Sequence, residues 1–230
     1  GAGRAGRRAP RRALGAMELT VLGLGSLLSE RSSRLTFPAL RNFRQVRVSG
    51  FRRVFGHPAR VFFERGIANL ETLEMSSLSA EPCAEGSFLC TAFEVDGVVQ
   101  EFEEREEEFD LRTVPFEGLA GAPGGEGLLC CRSTDEAVRA RWGENVHEGL
   151  RAHGVQAIWD WAPDSGLRPC PVYARHCVLA ARHLGAEAER SFLEETLLVD
   201  RQTTFGAYLK EHPAILDTAP PPSLAERYCG

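Results

Sequence analysis

The constraint that narrows the fold most is a change of pattern at Ser133. Before it, short apolar stretches rich in β-branched and aromatic residues alternate with Gly, Pro and Asp-Gly turns. After it, apolar residues recur at helical spacing. Many short strands followed by helices suit an α+β fold whose strands curl into a small closed or strongly curved β-barrel, with surrounding helices and a helical C-terminal extension. Strands are expected at Leu19 to Leu24, around Val46 to Phe55 with a bend or bulge at Gly50, at Arg60 to Glu64, Ile67 to Leu73, Gly86 to Val95, Leu111 to Val114 and Gly127 to Cys131. Ser76 to Glu85, polar and holding Pro82, reads as a loop, and the Glu-rich stretch Val98 to Glu108 as a short helix. Helices are expected over Thr134 to Trp142, Asn145 to His153, Val172 to Leu184 with Gly185 as its stop, Ala188 to Leu198, and Thr204 to Glu211.

The domain reading follows: a core over 17–132, a helical extension packed on it over 133–215, and a loose tail over 216–230 that starts near Pro220-Pro221-Pro222. Residues 1–16 are mostly Arg, Ala and Gly, without an acid, and are expected to be a disordered targeting segment or an expression remnant ahead of Met17. With 43% apolar and 26% charged residues, the 230-residue chain suits a soluble globular protein, placed in the cytoplasm, or in a plastid or mitochondrion if 1–16 are a transit remnant. A net charge of -5 argues against nucleic acid as a partner, and no apolar run reaches the length of a membrane span. The seven cysteines lack C-x-x-C or matching His spacing, so neither a metal site nor a disulfide framework is expected, and no cofactor motif is present.

Two stretches carry chemistry. Glu18 to Glu30, E-L-T-V-L-G-L-G-S-L-L-S-E, is a strand that breaks into Gly23, Gly25 and Ser26. Glycines at a strand end admit a ligand close to the backbone, and successive N–H groups at the bend form an anion-binding nest. Taken alone, the same residues also suit an ordinary turn. The second stretch is the acidic run at Glu101, Glu103, Glu104, Glu106, Glu107 and Glu108, which taken alone suits a solvated helix face. Trp159 and Trp161 are read as packing, and His176 and His183 as packed or solvent-facing.

Together these stretches resemble the γ-glutamylcyclotransferase-like family, including its ChaC branch. The family motif Tyr-Gly-Ser-(Asn/Leu)-Leu at the end of the first strand corresponds to Leu24-Gly25-Ser26-Leu27-Leu28. Its acidic segment ending in a catalytic Glu corresponds to Phe102-Glu103-Glu104-Arg105-Glu106, followed by Phe109 and Arg112-Thr113-Val114. Gly86 to Val95 resembles the intervening strand. The likeness spans about Glu18 to Val114. It implies a β-barrel with one cavity and release of 5-oxoproline from a γ-glutamyl amine or peptide such as glutathione. Glu106 is then the general base, and Leu24, Gly25, Ser26, Leu27 and Leu28 hold the substrate's glutamyl end. Glu103, Glu104, Glu107 and Glu108 are the shifted alternatives. The family's Tyr is Leu24 here, and Phe109 also lacks a hydroxyl. These departures motivate the alternative, a catalytically inactive ligand-binding or regulatory module on the same fold. Oligomeric state is left open.

Overall fold

The computed structural model describes residues 17–97 and 99–230. The expectation for 1–16 lies outside the described residues. The strands are β1 (Met17–Gly23), β2 (Arg41–Pro58), β3 (Glu74–Gly97), β4 (Asp110–Gly118), β5 (Gly125–Cys131) and the two-residue β6 (Arg168–Pro169) and β7 (Thr196–Leu197). β1 pairs antiparallel with β3 and parallel with β5. β3 pairs with β2, β2 with β4 and β4 with β5, all antiparallel. These five pairings close a ring, which removes the free sheet edges of an open sheet. β2 and β3, 18 and 24 residues long, pair along nearly their whole length. Their register shifts at three places, one of them between Ser49 and Phe51, where Gly50 sits at φ +81. Bulges of this kind bend long strands around a barrel.

The helices are α1 (Glu30–Thr36), α2 (Arg60–Glu64), α3 (Val99–Arg105), α4 (Asp135–Trp142), α5 (Asn145–Arg151), α6 (Pro171–Leu184), α7 (Ala186–Glu194) and α8 (Phe205–Glu211). α6 begins with Pro171 in its first turn and stops at Gly185, φ +121. Its buried Tyr173, Ala174, Cys177, Val178 and Ala181 share one core cluster with Leu22 and Leu24 of the first strand and its exit, Val46, Val48 and Phe55 of β2, and Leu78, Phe88 and Ala92 of β3. Barrel and C-terminal helices are thus sealed by one apolar interior. A second cluster, around Trp159, Phe109, Val138, Val146 and Leu150, packs α4 and α5 on the barrel's flank. No helix among the described residues is long and apolar enough to cross a membrane.

Several expected elements differ. Arg60 to Glu64 is helix, not strand, and its ends are tied by an Arg60–Glu64 ion pair of 2.7 Å at i,i+4. Ile67 to Leu73 is mostly turn. Asn69 Oδ1 accepts from the N–H groups of Glu71 and Thr72, and Leu73 adopts φ +58. Ser76 to Glu85, expected as a loop, belongs to β3. Its polarity is internal: Ser76 and Ser79 are fully buried, and buried Glu81 meets Arg52, Arg132 and Arg201. The acidic helix ends at Arg105, so Glu106 to Glu108 form a turn. A 3-10 turn at Pro222–Leu224 leads to Tyr228, 2% exposed and part of the main core.

Candidate active site

Where β1 ends, the chain turns through Leu24 and Gly25 into a 3-10 turn, Ser26–Leu28. Gly23 has no room for a Cβ, which would lie 2.6 Å from Thr91 Oγ1 and 2.8 Å from the Leu27 carbonyl. A Cβ on Gly25 would lie 2.0 Å from the Tyr173 hydroxyl. The carbonyls of this loop are tied back into the protein. Arg53 Nη1 donates to Leu24 O at 3.3 Å, His176 Nε2 lies 3.2 Å from Ser26 O, and Thr91 Oγ1 and Ser33 Oγ reach Leu27 O at 2.8 and 3.1 Å. The N–H groups of Gly25, Ser26 and Leu27 have no acceptor among the described residues. A loop with its carbonyls anchored and its N–H groups unspent is suited to an anionic or carbonyl ligand.

His176 is held in one tautomer. Nδ1 accepts from the Gly230 N–H at 3.0 Å, which leaves Nε2 to donate to Ser26 O. Burial drives its pKa down to about 4, so it is a neutral brace for the loop at ordinary pH.

The acidic turn faces the same loop. Leu24, Gly25, Ser26, Leu27, Glu106 and Glu108 all line one cavity of about 160 Å³. Two anchors hold the turn from behind: Trp159 Nε1 donates to Glu108 O at 2.7 Å and Arg141 Nη1 to Phe109 O at 3.2 Å. Trp159 also stacks on fully buried His57, ring centroids 4.2 Å apart, and His57 Nε2 lies 3.6 Å from Glu108 Oε1.

Burial pushes the Glu106 carboxyl up to about 7; the Arg105 guanidinium, 3.0 Å away, opposes that shift and the Glu108 charge adds to it. A carboxyl in this range is divided between acid and base forms at neutral pH, which suits a group that must take and return a proton. Burial also raises the Cys130 thiol well above its usual range, so this cavity-lining sulfur stays protonated.

The structure therefore brings Glu106 together with four of the five residues expected at the glutamyl end. Leu28 is not among them; it turns into the core at 3% exposure. Of the shifted alternatives, Glu108 reaches the cavity and Glu103, Glu104 and Glu107 do not. The pattern reading missed Arg65, Ser77, Tyr173 and Tyr228, which complete the polar wall. One signal for them exists in the composition: the chain has only three tyrosines, and two line this cavity.

No family model and no curated protein matches the sequence. Among solved structures, a glutathione-specific γ-glutamyl cyclotransferase from yeast aligns with 87% of this chain and 96% of its own, at 11% identity and a TM-score of 0.46. A second structure, named gamma-glutamyl cyclotransferase, aligns over 64% and 92% at 10% identity and a TM-score of 0.39. An uncharacterized human protein aligns over 63% and 91% at 11% identity and a TM-score of 0.41. At these distances the matches carry no assignment of activity or substrate.

Proposed function

We propose that this chain is a γ-glutamyl cyclotransferase with Glu106 as its general base. What supports this above all is that Glu106 and the Leu24–Leu27 loop, singled out by motifs about eighty residues apart, line one small cavity. In the proposed reaction the α-nitrogen of a γ-glutamyl group bonds to its own γ-carbonyl carbon and closes a five-membered lactam. The bond from that carbon to the leaving nitrogen breaks. Glu106 takes a proton from the α-amine, whose pKa is near ~8 in solution, and returns it to the departing amine. The products are 5-oxoproline and a free amine or peptide. Nucleophile and electrophile belong to one molecule, so the site mainly has to hold the folded conformer, an effect that is worth several kcal/mol of barrier. The free N–H groups of Gly25, Ser26 and Leu27 are available to the oxygen that gains charge as the ring closes.

The test is release of 5-oxoproline from glutathione and a panel of γ-glutamyl amino acids. Wild type is expected to release it, and folded Glu106→Gln to lose at least about 100-fold in rate. Equal rates for the two would remove Glu106 from the mechanism. If no compound turns over but one raises the melting temperature, the inactive binding module is the better description.

A further inference from the structure

Among the described residues that line the cavity, Arg65 is the one permanent cation. Arg65 caps the C-terminus of α2, with its N–H on Val61 O at 3.1 Å, and Gly66 at φ +65 turns the chain away. Its guanidinium is held by the Tyr228 hydroxyl, which accepts from Nη1, and lies 5.6 Å from the Tyr228 ring centroid. Arg65 forms no ion pair with any described carboxylate, although Glu106 and Glu108 line the same cavity. A second cation stands close by. Burial and then the charge of Arg65 both lower the Arg227 pKa, and among the described residues the side chain of Arg227 bonds only to Thr36 Oγ1. Most arginines of this chain sit on carboxylates, as Arg52, Arg132 and Arg201 do around Glu81. A half-buried guanidinium with a spare face and no anion is a built receptor for one.

We infer that Arg65 pairs with the free α-carboxylate of the substrate and so sets its class. This rests on the cyclotransferase reading of the site. Ring closure by an α-amine onto a γ-carbonyl is open to two kinds of molecule. A γ-glutamyl compound keeps its α-carboxylate. An N-terminal glutamine of a peptide has that carboxyl tied in a peptide bond and offers Arg65 no charge. The cavity supplies carboxylates for the ammonium group and a guanidinium for the carboxylate, which matches the first kind. Tyr228 is the positioning residue that aims the guanidinium.

The probe is γ-glutamylethylamide, whose only carboxylate is the α one, compared with the same compound carrying an α-carboxamide. Calorimetric affinities are measured on wild type, Arg65→Met, Arg65→Lys and Tyr228→Phe, and 5-oxoproline release is followed in parallel. Wild type is expected to bind the acid roughly 10- to 100-fold more tightly than the amide, the range for a charge-assisted hydrogen-bonded pair. Arg65→Met is expected to bind both alike, Arg65→Lys to recover part of the preference, and Tyr228→Phe to keep a reduced one. Equal wild-type affinities, or a preference that survives Arg65→Met, would overturn the inference. Should the preference appear as expected without 5-oxoproline release, the catalytic reading fails while the role of Arg65 stands.

Discussion

Arg53 Nη1 donates to the carbonyl of Leu24 from a position with no exposure to solvent. The same guanidinium reaches Thr196 Oγ1 at 2.8 Å, Leu89 O at 3.1 Å and Ser191 O at 3.4 Å, and lies 4.6 and 5.1 Å from the ring centroids of Phe192 and Phe88. No carboxylate among the described residues pairs with it. Burial lowers its pKa to about 10, which still leaves it charged at neutral pH. One planar cation therefore joins the site loop to β3 and α7. Lysine is a point donor and cannot serve four acceptors in one plane. Arg53→Lys is expected to lower stability by about 2–3 kcal/mol in urea unfolding. It should also reduce kcat for 5-oxoproline release under conditions where the variant remains folded. Unchanged stability and kinetics would mean that the loop does not depend on this anchor.

The contact between Gly25 and Tyr173 makes a second prediction, about coupling. A methyl group at position 25 would collide with the Tyr173 hydroxyl, and removal of that oxygen leaves the ring carbon Cζ at 3.2 Å, tight but no longer overlapping. Gly25→Ala is expected to destabilise by about 1–3 kcal/mol through overpacking. Tyr173→Phe in the same chain should return part of that loss, with a coupling of about 0.5–3 kcal/mol in a double-mutant cycle. Additive effects would place the strain of Gly25→Ala somewhere other than the tyrosine.

Which parts of this architecture were legible in the sequence follows from how local each cause is. Gly23, Gly25 and Ser26 mark the site loop because the need for a bare backbone is met within four residues. Helix α6 is legible because a periodic apolar face ends at Gly185, and the structure starts it one residue earlier, at Pro171. Ser76 to Glu85 reads as a loop because its buried serines and buried Glu81 look polar. The arginines that neutralise Glu81 come from positions 52, 132 and 201, at separations no pattern links. The same holds for the cavity wall. Arg65, Tyr173 and Tyr228 come from a helix end, a second helix and an apparent tail, and only the closed barrel brings them together. Leu28 shares the motif of the loop, but in the 3-10 turn its side chain packs into the core.

In the mechanism proposed above, Glu106 links activity and stability through one titration. In the proposed role of general base it must be ionised before it takes the substrate's proton, so kcat/KM is expected to rise steeply with pH up to about 7, the value to which burial lifts this carboxyl. Stability runs the other way. The native pKa is about 7 and the ordinary value 4.5. Below pH 4.5 both folded and unfolded chains hold the proton. Between 4.5 and 7 the folded chain keeps a proton that the unfolded chain has released, so stability falls as pH rises. Above 7 both are ionised and the full penalty remains, about 3 kcal/mol at most from a shift of this size. Glu106→Gln does not titrate. Its stability relative to wild type is therefore expected to be lowest near pH 4.5 and to grow through the interval to a plateau above pH 7, while 5-oxoproline release is lost at every pH. Paired urea unfolding curves at pH 5, 6, 7 and 8 read this directly. A difference that stays flat across those four conditions would show that Glu106 is not buried against its own charge, and the base would have to be sought elsewhere in the cavity, beginning with Glu108.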